Sequence, residues 1–234
     1  MNLTNATALI TGGSSGIGRG IAEALVAGGA RVAITGRNKE KLDAAARALG
    51  AVAIHADVSK ESDVIRTMQE VVAKLGHLDI LVNNAGVGTF KPLLALDLAG
   101  FERILATNVT GAMLMAREAA RHFVDRQQGH IVNIGSTASH RGAPNGTAYY
   151  ASKFALRGMT ECWRAELRKH NIRVMLVNPS EVITSFGATA GVEQTVNDSK
   201  LRPSDIAHAV RAVLEMDDRG FTTEITVFAT NPVD

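Results

Sequence analysis

Short apolar runs alternate with helical patterns along almost the whole chain. The runs predict β-strands at 7–11, 31–35, 51–55, 79–83, 130–134, 172–177 and 224–229. Between the runs, apolar residues recur every three or four positions, which is the period of an amphipathic helix. Strands that alternate with helices in this way predict an α/β fold, with a parallel, doubly wound sheet of seven strands, right-handed crossovers and helices on both faces.

The longer helical patterns predict helices at 61–75, 98–122, 149–168 and 204–216. Asn108 lies in the middle of the second of these. Asparagine is a mediocre helix former, so this residue either faces solvent or has a buried task.

One stretch has little periodicity. Residues 184–199 are rich in Gly, Ala, Thr and Ser and follow the sixth predicted strand, so they are predicted to form a lid over a site. No linker, repeat or low-complexity run divides the chain. Residues 1–234 are therefore predicted to be a single domain.

Composition narrows the classes of function. The 234 residues are 46% hydrophobic and 4% aromatic, which suits one large aliphatic core. The net charge is +2 and no basic run occurs, so no nucleic-acid partner is expected. The sequence shows neither a leader pattern nor an apolar run of membrane-spanning length, so we expect no membrane association and a cytoplasmic location. Cys162 is the single cysteine, and no metal-ligand cluster is evident.

The first strand ends in a glycine-rich turn that leads into a helix. Gly12, Gly16 and Gly18 allow close backbone approach, and the helix directs its unpaired N–H groups and positive dipole end at the turn. This arrangement is suited to a pyrophosphate group.

Three other interpretations of the turn compete with pyrophosphate binding. A phosphate loop of the nucleotide triphosphatases needs lysine after its last glycine, whereas Arg19 follows Gly18 here. The nucleophile elbow of a serine hydrolase would use Ser14, but that fold needs an earlier strand for its oxyanion loop, and only the first strand precedes Ser14. The third interpretation is a tight turn that binds nothing.

The end of the second strand indicates which dinucleotide would bind. An acidic residue there would bind the ribose 2′-hydroxyl, whereas an arginine accommodates a 2′-phosphate. No acid stands at 34–37, and Arg37 offers a planar fork of donors. NADP(H) is therefore favoured over NAD(H). Asp57 and Val58, after the third strand, are placed to meet the adenine edge.

Two side chains at the start of the 149–168 helix can do acid–base chemistry. Tyr149 and Lys153 are four residues apart and so share one helical face. A nearby ammonium favours the phenolate, so Lys153 is expected to lower the pKa of Tyr149. Tyr150 has Phe154 at the same spacing, and the register of Lys153 therefore selects Tyr149.

Four motifs in a fixed order suggest a family. They are the glycine turn at 11–18, Asn-Asn-Ala-Gly at 83–86, Ser136, and Tyr149 with Lys153. In this combination the sequence closely resembles the short-chain dehydrogenase/reductase family over essentially the whole chain. The resemblance implies a single-domain Rossmann fold and an NAD(P)-dependent carbonyl reductase or alcohol dehydrogenase.

The resemblance also implies roles for individual residues. Tyr149 would be the general acid in reduction, Lys153 would bind the nicotinamide ribose, and Ser136 would hold the carbonyl oxygen. Asn108 would hold a water that relays protons from Lys153. The implied cofactor-binding residues are Gly12, Ser14, Ser15, Gly16, Ile17, Gly18, Arg37, Asp57, Val58, Asn84, Ala85, Gly86, Tyr149, Lys153, Pro179, Val182 and Thr184.

Two departures from the family pattern concern the substrate end. Pro179 is followed by Ser180, where the family commonly has glycine, and residues 222–232 lack the glycine-rich ending of the bacterial 3-oxoacyl-carrier-protein reductases. The leading hypothesis is an NADPH-dependent reductase of a ketone or 3-oxoacyl group. A sepiapterin-type or broad-range carbonyl reductase and an NAD-dependent alcohol dehydrogenase are alternatives.

Two further expectations follow from the resemblance. Relatives pair through the two long helices, so a homodimer or homotetramer is expected. A cofactor-binding regulator without turnover is the competing hypothesis of another class, and the presence of both Tyr149 and Lys153 disfavours it.

Overall fold

The computed structural model describes residues 1–191 and 199–230, apart from the side chains of residues 188 and 189. In this part of the chain, one parallel sheet has the strand order β3-β2-β1-β4-β5-β6-β7. The doubly wound, seven-stranded fold predicted from the sequence is confirmed. Its strands are β1 (Thr7–Ile10), β2 (Arg31–Gly36), β3 (Val52–His55), β4 (Ile80–Asn83), β5 (Gly129–Ile134), β6 (Ile172–Pro179) and β7 (Glu224–Val227).

The helices begin and end where local chemistry allows. Before α2, the Asn38 side chain accepts a hydrogen bond from the Lys41 N–H, and the helix ends at Gly50 in the left-handed conformation. The α-helices are α1 (Gly16–Ala27), α2 (Lys39–Leu49), α3 (Glu61–Leu75), α4 (Leu98–Leu105), α5 (Ala112–Arg126), α6 (Thr147–Leu167), α7 (Phe186–Ala190) and α8 (Pro203–Leu214).

Alternate residues of the strands pack into two hydrophobic cores, one on each face of the sheet. In β1, Ile10 packs in the core that includes residues of α1, α2 and α8, whereas Leu9 packs in the core that includes residues of α3 and α5. Both side chains are fully buried. Burial of each contributes about 1.5–3 kcal/mol, so the aliphatic strands supply much of the stability of the fold.

The strand order places a cleft at the carboxyl edge of the sheet. β1 lies between β2 and β4 in the sheet. The chain runs from β1 to β2 and β3 on one side, and then returns to β4 on the other side of β1, so the strand order reverses at β1. Crevices at such a switch point, outside the carboxyl ends of parallel strands, are where ligands bind in open α/β sheets. The turns after β1, β4 and β5 all reach this edge.

The helix predicted at 98–122 is interrupted, so the prediction of one continuous helix was wrong. A π-helical segment, Ala106–Gly111, separates α4 from α5. Within it the buried Asn108 side chain accepts a hydrogen bond from the Val87 N–H at 2.8 Å and donates one to the Val87 carbonyl at 2.9 Å. These tertiary bonds give Asn108 a buried task and hold the widened turn.

The predicted lid is described only in part. Residues Phe186–Ala190 of the predicted lid form α7. Just before the predicted lid, Val182 forms a parallel bridge with Leu201. Residues 192–198 of the predicted lid lie outside the described chain. Within the described ranges, no helix is long and apolar enough to cross a membrane, and no group of His, Cys, Asp or Glu side chains could hold a metal ion.

Candidate active site

The glycine turn after β1 forms one wall of the cleft. Gly12 and Gly16 have φ values of 65° and 53°, and a Cβ on Gly12 would lie 3.0 Å from Ala85 Cα. No described side chain caps α1, and its first turn contains no acidic residue. The first N–H groups of α1 and its positive dipole end are therefore suited to a pyrophosphate.

Gly18 and Asn84 stand behind this wall. The Asn84 amide donates hydrogen bonds to the carbonyls of Thr11 and Gly12, at 2.9 Å and 3.2 Å. A Cβ on Gly18 would lie only 2.3 Å from the Asn84 Nδ2 atom. Gly18 thus allows the Asn84 amide to brace the turn. Asn84 also lines the cleft, and its predicted binding of the cofactor stays a prediction.

The cleft has a volume of about 840 Å³ and extends from the ends of β2 and β3 to the start of α6. Seventeen of the predicted site residues line it, and only Gly18 and Asn108 lie behind its surface. The lining residues are Gly12, Ser14, Ser15, Gly16, Ile17, Arg37, Asp57, Val58, Asn84, Ala85, Gly86, Ser136, Tyr149, Lys153, Pro179, Val182 and Thr184.

The end of the cleft at β2 and β3 carries Arg37, Asp57 and Val58. The Arg37 side chain is exposed and makes no ion pair with any residue in the described ranges, while its carbonyl accepts a hydrogen bond from the His55 ring at 2.7 Å. Asp57 Oδ1 accepts hydrogen bonds from the N–H and hydroxyl of Ser59, at 3.0 Å and 2.7 Å. The guanidinium is therefore available to a ligand, and the carboxylate is held in place at the edge of the cleft.

The opposite end brings Ser136, Tyr149 and Lys153 together. Ser136 follows β5, and its hydroxyl is hydrogen-bonded to that of Tyr149 on α6. One helical turn further on, Lys153 Nζ lies 5.6 Å from the centroid of the Tyr149 ring. Lys153 also donates a hydrogen bond to the Ile134 carbonyl at 2.8 Å, so its ammonium is fixed beside the phenol.

The pKa values of this pair differ from the expectation that Lys153 lowers the pKa of Tyr149. Desolvation raises the pKa of Tyr149 to about 12, opposed by its hydrogen bond with Ser136. Desolvation also lowers the pKa of Lys153 to about 8. The expected net lowering was wrong for this structure, because desolvation of the phenol outweighs its hydrogen bond with Ser136. Tyr149 is consequently a protonated phenol at neutral pH, which is the form that can donate a proton.

Asn108 supports the site from behind. Its amide donates a hydrogen bond to Ser152 Oγ at 3.0 Å, and that hydroxyl donates to the Tyr149 carbonyl at 2.7 Å. The same amide holds Val87, so one side chain joins the loop after β4 to the first turn of α6. The proton-relay water implied by the family resemblance stays a prediction.

Sequence reasoning missed a group of residues that fixes Ser136. The fully buried Asn178, at the end of β6, accepts a hydrogen bond from the Ser136 N–H at 3.1 Å. Its amide donates to Glu224 Oε1 at 2.7 Å, and the His140 ring lies 2.7 Å from the same oxygen. A Cβ on Gly135 would lie 2.2 Å from Asn178 Oδ1, so glycine is required there. No local pattern signals this group, because β5, β6 and β7 meet only in the folded sheet.

The chain after β6 lines the cleft, and it contains Ser180, where the family commonly has glycine. Ser180 N–H donates to the Val227 carbonyl at 2.9 Å, and Glu181 pairs with Lys200 at 2.9 Å. Thr184 lies above the glycine turn, since a Cβ on Gly16 would be 3.3 Å from its Cγ2 atom. Serine in place of the usual glycine is thus accommodated by a backbone that is tied to β7.

The chain matches the family model of the short chain dehydrogenases over residues 6–195. It is a member of this family. It is 34% identical over 216 residues to carbonyl reductase family member 4 of Xenopus tropicalis, covering 88% of this chain and 89% of the relative.

Solved structures of the short-chain dehydrogenases have the same architecture. The crystal structure of 3-ketoacyl-(acyl-carrier-protein) reductase from Brucella melitensis complexed with NADH has a TM-score of 0.92 and 33% identity, covering 97% of this chain and 98% of that one. A metagenomic short-chain oxidoreductase in complex with NADP has a TM-score of 0.86 and 34% identity, covering 99% and 100%.

These likenesses fix the type of reaction. The chain is a short-chain dehydrogenase, an oxidoreductase that acts on alcohol or carbonyl groups, and a nicotinamide cofactor is the group that its glycine turn and cleft suit. The family resemblance seen in the sequence is thereby confirmed.

Proposed function

We propose that the protein is an NADPH-dependent reductase that converts a ketone or 3-oxoacyl group to a secondary alcohol. The observation that carries the proposal is the contact of a protonated Tyr149 with Ser136 and its proximity to Lys153 at one end of a cleft whose other end presents Arg37. Names of relatives support both substrate types, since one is a carbonyl reductase and another a 3-ketoacyl reductase.

The roles of the side chains follow from their chemistry. A bound reduced nicotinamide would supply the hydride for the new C–H bond at the carbonyl carbon, with the C=O π electrons moving to oxygen. Ser136 donates a hydrogen bond that orients the carbonyl oxygen, and Tyr149 gives that oxygen its phenolic proton. Lys153 stabilises the phenolate that remains until a solvent proton restores the phenol. The products are the alcohol and the oxidised cofactor.

NADP(H) rather than NAD(H) is proposed because of the charge at the end of β2. Arg37 is exposed at the cleft, and residues 34–37 contain no acid that would bind a ribose 2′-hydroxyl. A guanidinium offers a fork of donors to a 2′-phosphate. The structures of relatives include both an NADH and an NADP complex, so the preference rests on Arg37.

The proposal is tested by following NADPH absorbance with purified protein and a panel of ketones, diketones and 3-oxoacyl thioesters. We expect NADPH consumption with at least one class and formation of the matching secondary alcohol. Binding of NADPH without turnover of any panel member would contradict the proposal and favour a cofactor-binding regulator.

Self-association through the long helices is proposed as well. Between α5 and α6 lies an apolar groove with a charged rim, whose apolar lining includes Met113, Val124, Trp163 and Leu167. A mass in solution of twice or four times the chain mass of 24.7 kDa is expected from light scattering. A monomer at micromolar concentration would contradict it.

The cytoplasmic location stays a prediction.

A further inference from the structure

The substrate end of the cleft is built around two phenylalanine rings. Phe90, in the loop after β4, and Phe186, at the start of α7, both line the cleft. Each ring centroid lies 5.5 Å from that of Tyr149, with an angle of 50° between the planes. A carbonyl that reaches the Tyr149 hydroxyl therefore brings its substituents close to these rings.

Gly88 makes room for the second ring. A Cβ at this position would lie 2.7 Å from Phe186 Cζ, which is closer than packed carbon atoms allow. The φ of Gly88 does not lie in the left-handed region, so its glycine is needed for space rather than for backbone conformation. The loop after β4 thus accommodates Phe186 beside Tyr149.

Each charged side chain that lines the cleft either lies at the far end or already has a partner in the protein. Arg37 and Asp57 lie at the opposite end, after β2 and β3. Lys153 is bonded to the Ile134 carbonyl, and Glu181 is paired with Lys200. Among the described lining residues, no further cation is present to receive an anionic substituent next to the reacting carbonyl.

We propose that the substrate is a neutral ketone with an apolar ring or branched body, and that Phe90 and Phe186 determine this specificity by packing against that body. The inference rests on the proposed reductase function and names its substrate class. A carboxylate within a few atoms of the carbonyl would lose its water without gaining a cationic partner, which disfavours binding. An apolar body of similar size would gain contact with both rings.

A matched pair of probes tests the proposal on the unmodified protein. The neutral 4-methylcyclohexanone and the anionic 4-oxocyclohexanecarboxylate place substituents of similar size at the same distance from the carbonyl. With NADPH at pH 7 we expect kcat/KM to be about 100-fold higher for the neutral ketone. Equal values for the two probes, or a preference for the anion, would overturn the proposal.

Two variants test the rings themselves. Phe90→Ala and Phe186→Ala should each lower kcat/KM for 4-methylcyclohexanone about 10-fold, mainly through KM, while 2,3-butanedione, which is too small to contact both rings, changes by less than about threefold. Phe228→Ala, at a 63% exposed position outside the cleft, is the control and should leave both values unchanged. Equal losses for the two ketones would count against a specificity role.

The outcomes separate this proposal from the proposed function. If no member of the panel of ketones, diketones and 3-oxoacyl thioesters is reduced by NADPH, the reductase assignment itself fails. If only the 3-oxoacyl thioesters are reduced, the reductase assignment holds and the substrate class proposed here is wrong. If the diketone is reduced and the cyclohexanone pair shows no discrimination, only the substrate class is wrong. The comparison of the two probes on the unmodified protein keeps this test valid even where a phenylalanine variant does not fold.

Discussion

A Tyr149→Phe protein is expected to reduce its ketone substrate about 10³-fold more slowly than the unmodified protein while binding NADPH with similar affinity. The substitution keeps the ring that contacts Phe90 and Phe186 but removes the hydroxyl that is bonded to Ser136. A 10³-fold loss corresponds to about 4 kcal/mol of transition-state stabilisation. The measurement is kcat for ketone reduction, with the NADPH Kd from fluorescence titration.

Tyr150→Phe is the matched control for this experiment. It removes a hydroxyl from the neighbouring ring, whose centroid is 6.2 Å from that of Tyr149, but Lys153 is four residues from Tyr149 rather than from Tyr150. We expect kcat to change by less than about threefold. Similar losses in the two variants, or no loss in Tyr149→Phe, would contradict the assignment of Tyr149 as the proton donor.

An Arg37→Asp protein is expected to lose about 100-fold in NADPH affinity and to keep or improve its affinity for NADH. The change removes a charge-assisted fork of hydrogen bonds, worth about 1.5–3 kcal/mol, and adds repulsion between a carboxylate and the 2′-phosphate. It also creates the acid that would bind a ribose 2′-hydroxyl. The Kd values of both cofactors, measured at one ionic strength, check the result.

Lys39→Asp makes the same change of charge two residues further along. Lys39 is 73% exposed, pairs with Asp43 and does not line the cleft, so its substitution reports the general effect of charge on cofactor affinity. We expect less than a fivefold loss for NADPH, since exposed charges are screened by solvent and salt. Equal losses of NADPH and NADH affinity in Arg37→Asp would rule out 2′-phosphate recognition by this residue.

The backbone architecture was predictable because it depends on local patterns. Each strand of the sheet is an aliphatic run, and the seven runs were placed to within a few residues. The 98–122 helix was the exception. Its interruption depends on bonds from Asn108 to Val87, a partner 21 residues away in the chain. Periodicity within the helix contains no information about that partner.

The candidate site was predictable in its residue types but less so in its electrostatics. Tyr149 and Lys153 are near each other in any helix, so their proximity follows from spacing alone. Which way the pKa of Tyr149 shifts depends on how deeply both groups are buried, and burial is a property of the packed cleft. Proximity of a cation was therefore a sound inference, and the net direction of the shift was not.

The order of strands and helices along the chain, the glycine turn after β1 and the proximity of Tyr149 to Lys153 could be predicted from the sequence, because each depends on residues close together in the chain. Three features follow from tertiary packing instead: Tyr149 is desolvated, Asn178 and Glu224 hold Ser136 in place, and Phe90 and Phe186 flank the Tyr149 end of the cleft. These features join residues from distant strands and loops, and their contacts exist only after the sheet has closed around the cleft.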